Sequence, residues 1–255
     1  MKNLISMRAV DDSIVKMECY DRLDSTVGLA REYAKAGYAD RYAVISEYDG
    51  DHESDGRGIY MSVILRPSIF PSQAGLLSSL ATVALLTALE EHTTDRLGIG
   101  WVSNIYCEGK YIGGVSIEGK LDNFTSYEYI IVSFAVRLSE KNFPPRIADL
   151  IKKVFESDND SVTTIIAKTV LNKFLPFYST MKTSNKFMKI YKQRFLLLGV
   201  RAKYIEDGRK RACRIVELDP ASCELTIEFS DRTRRRISSP TSLIMPKSIK
   251  LPKNK

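Results

Sequence analysis

A short run of acidic residues separates two apolar segments of the sequence. Asp49, Asp51, Glu53 and Asp55 lie in this run, and one basic residue, Arg57, follows them between two glycines. Polar, glycine-containing composition predicts a loop. Carboxylate oxygens are ligands that Mg²⁺ accepts, so magnesium binding is one interpretation of the run. We nevertheless predict no metal site in this chain.

Thiol and imidazole chemistry has little support in the sequence. The four cysteines, Cys19, Cys107, Cys213 and Cys223, form no Cys-x-x-Cys pair, and only two histidines are present. A structural zinc site requires four clustered ligands, which this pattern does not supply. We expect reduced cysteines and a cytoplasmic protein. Cys107 is interpreted as a small buried apolar residue, because no histidine lies near it in sequence.

Positive charge is concentrated at the C-terminal end of the chain. The net charge is +7, and residues 196–255 alone hold 14 basic and 7 acidic residues. Four arginines, Arg232, Arg234, Arg235 and Arg236, lie within five positions. A solvated surface, an acidic protein partner and nucleic acid phosphate are alternatives. Sequence-specific RNA recognition is not supported, because no aromatic residues alternate with these arginines.

Helical and strand patterns alternate along the sequence and predict the elements that position the candidate residues. Asp24 or Ser25 can cap a helix that ends near Gly37. Apolar, β-branched runs predict strands at Tyr42 to Glu47 and Ile59 to Leu65, and Gln73 to Glu91 predicts a long buried helix. The apolar part of that helix is shorter than the ~20 residues that span a bilayer, so no membrane segment is predicted.

The second half of this pattern predicts a hairpin followed by helices. Gly98 to Tyr106 and Tyr111 to Glu118 are predicted strands joined by a turn, and a further strand is predicted at Tyr127 to Leu138. Helices are predicted at Ile147 to Phe155 and Val162 to Leu175, with Pro176 ending or kinking the second.

Short strands dominate the C-terminal part. They are predicted at Val200 to Tyr204, Arg211 to Leu218, Glu224 to Ser230 and Thr233 to Ser238, separated by turn residues. Close spacing of this kind favours a small β-barrel. We therefore predict an α+β fold with a catalytic-type domain at 12–195, a basic barrel at 196–246 and a disordered basic tail at 247–255.

Several stretches, in the same order along the chain, resemble the biotin–protein ligase family. Leu23-Asp24-Ser25-Thr26 is similar to the family's D-S-T before its first helix, and Gly58 to Pro67 to its G-x-Y-x-S-x-x-L-R-P strand. Trp101 to Gly119 resembles the tryptophan-bearing strand and hairpin, and Leu198 to Ser239 the C-terminal barrel. The resemblance implies a mixed β-sheet flanked by helices, a class II synthetase-like domain, followed by a small barrel.

The resemblance also implies a reaction. Members adenylate biotin with ATP, in the presence of magnesium, and transfer the biotinyl group to a lysine of a biotin carrier protein. The biotin carboxylate must meet the α-phosphate, and cations must offset their repulsion. The family places these cations on a glycine- and arginine-rich loop and on a hairpin lysine. Arg57 and Lys110 are the candidate catalytic residues here.

This sequence departs from the family at the residues that carry positive charge. The segment that corresponds to the family's phosphate-binding loop is short and acidic, which indicates that the family's loop has been deleted and replaced here. The alternative is a displaced Arg57 that still reaches the phosphate. The simplest alignment places Tyr111 where the family has its lysine. Lys110 is one position earlier, and one residue along a strand reverses the side-chain direction. The family's glycines near adenine are absent from Val132 to Arg137.

The sequence retains residues that match the apolar and hydrogen-bonding part of the family's biotin pocket. Ser25 and Thr26 match residues that contact the biotin rings, although Ser25 is equally a helix cap. Gly113 and Gly114 match the glycines beside the biotin tail, and close strand packing is the alternative for Gly114. Trp101 is either a pocket residue or, more commonly, a core residue.

Two functions follow from these observations. One is an ATP-dependent biotin–protein ligase with an altered site, acting on a carrier domain. The other is a catalytically impaired relative that binds biotin or a related carboxylate, or acts through an acidic protein partner. A lipoate-type acyltransferase is a third, less supported interpretation. Nucleic acid and membrane are not expected partners, and a homodimer is left open.

Overall fold

The computed structural model describes residues 4–10, 15–50, 58–93, 95–122, 126–137, 162–219, 222–245 and 249. Eight of the described strands form one sheet: β1 (Leu4–Val10), β2 (Val15–Leu23), β3 (Tyr42–Asp49), β4 (Gly58–Leu65), β5 (Leu97–Gly100), β6 (Asn104–Cys107), β7 (Lys110–Leu121) and β8 (Tyr127–Arg137). Their order is β1-β2-β3-β4-β8-β7-β6-β5. Only β2 and β3 pair in parallel, so the sheet is mixed.

Four described helices cover the two faces of this sheet: α1 (Thr26–Lys35), α2 (Ala74–Glu90), α3 (Val162–Thr180) and α4 (Lys186–Arg194). The larger core lies between the sheet and α2 and α3, where Met61, Phe134 and Phe174 are buried. A smaller core, which includes Leu29 and Ile131, lies between the sheet and α1. Residues of β4 are buried on both sides, as expected for a central strand.

A second sheet contains β9 (Arg201–Glu206), β10 (Arg209–Leu218), β11 (Leu225–Phe229), β12 (Arg234–Ile237) and β13 (Leu243–Ile244). It is antiparallel throughout, in the order β12-β11-β10-β9-β13, which is compatible with the predicted small barrel. The predicted fold class, a helix-flanked mixed sheet followed by a small β unit, is confirmed.

The structure corrects three local predictions. Gly98 to Tyr106 is not one strand but two, β5 and β6, joined by a turn at residues 101–103. Pro176 does not end its helix, because α3 continues to Thr180. Ile249 belongs to the predicted disordered tail but is buried against the core, since its apolar side chain packs there.

Two other predictions concern residues that the structure does not describe. The helix predicted at Ile147 to Phe155 lies outside them, as does most of the C-terminal tail. Among the described helices, none combines the length and the apolar character required to cross a bilayer.

A buried carboxylate fixes α1 to the sheet. Glu18 of β2 accepts hydrogen bonds from Tyr20 at 2.6 Å, Tyr42 at 2.5 Å and Tyr33 of α1 at 2.9 Å. The ring of Tyr38 stacks on Tyr33, with centroids 4.3 Å apart. Burial alone raises the pKa of Glu18, but the three hydroxyl donors outweigh it and hold that pKa below its ordinary value.

Candidate functional site

A cluster of hydroxyl groups lies where α1 begins, beneath the N-terminal end of the helix. Ser25 is the helix cap, and its Oγ accepts the backbone N–H of Gly28 at 3.0 Å. Thr26 is buried, and its backbone N–H donates to Oδ1 of Asp49 at 2.8 Å. A carboxylate at the positive end of a helix is electrostatically favourable. Asp49 therefore holds the start of α1 against the end of β3.

The hydroxyl protons of this cluster all point toward Asp49. Ser62 donates to Oγ1 of Thr26 at 3.1 Å, and Thr26 donates to Oδ2 of Asp49 at 3.4 Å. Ser133 lies 2.9 Å from Ser62. Because a serine has one hydroxyl proton and Ser62 gives its own to Thr26, Ser133 must donate to Ser62. The Ser133 oxygen can then only accept a hydrogen bond from a ligand.

One side of the sheet remains open beside this cluster, and we call it the α1 face. It carries Ser62 and Ser133, and α1 covers β3, β4 and part of β8 there. Further along the same face, Ser116 and Ala135 are exposed, Ser116 standing directly opposite Ser133. An open, polar-floored surface therefore extends from α1 across β8 and β7.

The glycines of β7 allow backbones to approach closely. A Cβ atom at Gly114 would lie 2.2 Å from the carbonyl oxygen of Ser103, and one at Gly113 would lie 2.0 Å from that of Ala135. Such distances are far below van der Waals contact. The packing interpretation of Gly114 is therefore sufficient by itself, and the glycine places the hairpin against the edge of the α1 face.

The hairpin places Tyr111, not Lys110, on the α1 face. Tyr111 pairs with Tyr106, and their rings are 5.9 Å apart, whereas Lys110 pairs with Cys107. Cys107 is part of the core under α2, on the opposite side of the sheet. Since directly paired residues project to the same side, Lys110 points away from the hydroxyl cluster. Arg57, the other candidate catalytic residue, lies outside the described residues.

Trp101 is buried, and its polar atom is occupied. Its indole N–H donates to the carbonyl oxygen of Cys223 at 2.7 Å, in the turn between β10 and β11. Ser79 of α2 donates to Sγ of Cys223 at 2.9 Å. Trp101 thus joins the first sheet, α2 and the second sheet, a role that matches the core interpretation of this residue.

Replacing Trp101 with phenylalanine is expected to lower the free energy of unfolding by about 1–2 kcal/mol, because the buried Cys223 carbonyl loses its donor. Urea denaturation measures the change. Tyr106→Phe is the matched control: the Tyr106 hydroxyl has no hydrogen bond within the described chain, so its loss should cost less than about 0.5 kcal/mol. Equal losses in both variants would contradict this role for the indole N–H.

Arg137 is a residue of the α1 face that the sequence analysis did not single out. It ends β8, is exposed, and pairs with Gly58 of β4. Ser133, Ala135 and Arg137 alternate along β8, so they share one side of the sheet. That alternation was visible in the sequence, but only the register of β8 against β4 shows that the shared side is the α1 face.

Comparisons with known proteins find similarity to biotin protein ligases in part of the sequence and in the fold. No family model matches the chain. A search of curated proteins finds the bifunctional ligase/repressor BirA of Bacillus subtilis, 27% identical over 112 residues, which is 44% of this chain and 34% of BirA. The matched segment thus spans about a third of that relative's length.

Solved structures match over nearly the whole chain. The biotin protein ligase from Aquifex aeolicus in complex with biotin and ATP superposes with a TM-score of 0.66 at 18% identity, covering 92% of this chain and 99% of the other. A biotin protein ligase-like protein of unknown function from Silicibacter sp. TM1040 gives 0.67 at 14% identity, covering 94% and 100%. The chain has the fold of these biotin protein ligases.

Clusters of metal ligands and the state of the Cys107 thiol can be described only for part of the chain, and the acidic run at residues 51–57 lies outside that part. Within the described ranges, no three His, Cys, Asp or Glu side chains group as metal ligands. Burial raises the pKa of the Cys107 thiol to about 12, so it is protonated at neutral pH. Its interpretation as a buried apolar residue is consistent with this environment.

The arginines of the second sheet are largely paired with neighbouring acids. Arg211 contacts Asp231, Arg235 contacts Glu206, and Arg236 contacts Asp219 and Glu224. Glu228 accepts from both Arg232 and Arg234. Arg201 and Arg214 pair directly across β9 and β10 without an ion pair to any described residue. The basic surface is therefore less positive than the sequence alone indicates.

Proposed function

We propose that this chain binds biotin on the α1 face, as a homologue of the enzymes that adenylate biotin with ATP and transfer it to a carrier-protein lysine. The hydroxyl cluster carries the proposal. Biotin's fused ring system has a ureido group with N–H donors, and the Ser133 oxygen is a buried acceptor at the margin of the open face. The neutral, hydrogen-bonding ring system of biotin therefore matches the α1 face next to Ser133.

Asp49 supports this orientation of the ligand. Its carboxylate ends the hydroxyl chain and repels any other anion brought close to it. The carboxylate of biotin therefore has to lie away from Asp49, toward β7. ATP would have to supply its α-phosphate on that same side of the face for the family's reaction to occur.

Isothermal titration calorimetry with biotin tests the proposal, with Ser62→Ala as the informative variant. Loss of the Ser62 hydroxyl breaks the chain between Ser133 and Thr26 and is expected to weaken biotin binding about 5- to 30-fold. Ser238→Ala removes an exposed hydroxyl that follows β12 in the second sheet, away from the α1 face, and should leave affinity within about twofold. No heat of biotin binding to the unmodified protein would overturn the proposal.

A second candidate is a biotin-binding or regulatory relative that no longer adenylates. It is favoured by Tyr111, which occupies the α1 face where the family has a lysine, and by Lys110 on the opposite side. Incubation with biotin, ATP, magnesium and a biotin carrier domain separates the candidates. Mass spectrometry of the carrier should show a biotinyl adduct for a ligase and no adduct for the binding relative.

The remaining features of the proposal concern partners and location. We propose a biotin carrier domain, or another acidic protein, as the partner of the unpaired arginines Arg201 and Arg214 on the barrel. We also propose a cytoplasmic location, which the four free, buried cysteines support. A homodimer remains an alternative to a monomer.

A further inference from the structure

Two arginines of the second sheet stand face to face without an acidic partner. Arg201 of β9 and Arg214 of β10 are both exposed and lie directly opposite each other in the register of these strands. Such positions place the Cβ atoms about 5 Å apart, and like charges there destabilise a sheet. Neither guanidinium has an ion pair or a hydrogen bond with any residue that the structure describes. A bound anion would therefore replace this repulsion with attraction.

Both arginines line one cavity, together with the turn between β11 and β12. The cavity has a volume of about 430 Å³, and the rest of its wall is formed by Ala212, Cys213, Glu228, Phe229, Ser230 and Arg232. The Ser230 hydroxyl makes no hydrogen bond within the described ranges, so it can donate to a ligand. Apolar residues with a few convergent polar groups are typical of small-molecule sites.

The wall of this cavity is positive in spite of its one carboxylate. Glu228 stands opposite Arg214 across β10 and β11, but its oxygens accept from Arg232 at 3.3 Å and from Arg234 of β12 at 2.9 Å. Three arginines against one glutamate give the wall a net charge of +2. On the other side of β9, the strand β13 and the sequence that follows it contain no acidic residue. The site therefore matches a ligand with two negative charges.

We propose that this cavity, the Arg201 pocket, binds a phosphate dianion, either inorganic phosphate or the phosphate of a small phosphomonoester. At neutral pH a phosphomonoester carries about −1.5 to −2 charges and three strong acceptor oxygens. These oxygens can accept from both guanidinium groups and from the Ser230 hydroxyl. A single carboxylate would neutralise only one of the two opposed arginines. The Arg201 pocket shares no residue with the α1 face, and a phosphate bound there would compete with the acidic protein proposed for the same arginines.

Isothermal titration calorimetry at constant ionic strength tests the Arg201 pocket with three probes: inorganic phosphate, ribose 5-phosphate and a triglutamate peptide. Saturable binding of a phosphate compound is expected, with triglutamate binding more weakly. Arg201→Gln and Arg214→Gln should each weaken phosphate binding about tenfold, because each removes one charged donor. The matched control is Arg209→Gln, an exposed arginine of the same hairpin outside the pocket, which should retain affinity within about twofold.

Thermal unfolding separates ligand binding from a structural role of the arginines. In buffer without phosphate, Arg201→Gln should melt at or above the temperature of the unmodified protein, because the opposed like charges are gone. Phosphate should raise the melting temperature of the unmodified protein and of Arg209→Gln, but not that of Arg201→Gln.

Three results would overturn the phosphate site. They are the absence of saturable binding of either phosphate compound, equal losses in Arg201→Gln and Arg209→Gln, which indicate general charge screening, and tighter binding of triglutamate than of phosphate. The last result would assign the arginines to the acidic partner. Tighter binding of ribose 5-phosphate than of inorganic phosphate identifies a phosphorylated ligand, and the reverse order identifies the free ion. Biotin titrations of Arg201→Gln should match those of the unmodified protein, so failure of the biotin site is seen separately.

Discussion

Replacing Gly114 with alanine is expected to lower the free energy of unfolding by about 3 kcal/mol. The added Cβ would lie 2.2 Å from the carbonyl oxygen of Ser103, so β7 and the turn before β6 must separate. That oxygen also accepts the backbone N–H of Val115 at 3.0 Å, and this bond is strained by the same movement. Chemical denaturation of the purified variant measures the loss.

Gly75→Ala provides the matched control for this substitution. Gly75 lies in the first turn of α2, and a Cβ atom there would be 3.4 Å from the nearest atom, the carbonyl oxygen of Ser222. Alanine also favours helix over glycine by about 1 kcal/mol. Stability equal to or above that of the unmodified chain is therefore expected. A Gly114→Ala protein as stable as Gly75→Ala would contradict the close packing of the hairpin.

Replacing Glu18 with glutamine is expected to cost about 3 kcal/mol at neutral pH. Three tyrosine hydroxyls donate to this carboxylate, and hydrogen bonds to a charged acceptor are about twice as strong as neutral ones. Tyr42→Phe removes one donor and should cost about 1–2 kcal/mol. The control is Tyr38→Phe, whose hydroxyl has no hydrogen bond to a described residue.

The same carboxylate makes stability depend on pH. The hydroxyl donors keep the folded-state pKa of Glu18 below its ordinary value of 4.5. A depressed carboxyl pKa stabilises the fold above the unfolded pKa, and this stabilisation is lost as pH falls through the folded one. The stability difference between the unmodified chain and Glu18→Gln should therefore be constant near pH 7 and shrink below about pH 4.5. A difference that grows on acidification would contradict this account.

Local patterns were sufficient to predict most elements that carry the site. The cap at Ser25, the buried strand β4 and the long helix α2 all follow from residue type and spacing, because each is determined by neighbours in sequence. The strands of the second sheet were equally visible, since turn residues separate them. The order of the motifs supplied the resemblance that the solved structures confirm at the level of fold.

The predictions of secondary structure were wrong where contacts between residues distant in sequence determine the local structure. The break between β5 and β6 occurs at Trp101, whose side chain is fixed by the Cys223 carbonyl more than a hundred residues later. The turn residues 101–103 include no glycine or proline, although Gly100 directly precedes them. Pro176 was expected to end or kink α3, and the helix does not end there but continues to Thr180. Phe174 and Leu175 beside the proline are buried, and their packing maintains the helix through it.

The residues of the candidate site could be predicted from the sequence, but the side of the sheet that each side chain faces could not. Thr26 was identified from its motif, whereas its link through Ser62 to Ser133 depends on β4 and β8 lying side by side. The hairpin register decides which of Lys110 and Tyr111 shares a side with the hydroxyls, and a bulge between Ile105 and Tyr106 sets that register. Arg137 could be assigned to the same side only after the strand order was known.

The turn that holds Cys223 has a consequence for how this protein denatures. Because Trp101 and Ser79 both bind it, the small C-terminal sheet cannot detach without exposing a large aromatic ring and two unsatisfied polar groups at the edge of the main core. Heating should therefore melt both sheets in one cooperative calorimetric peak. A protease that nicks the chain near Gly199 should release no stable fragment.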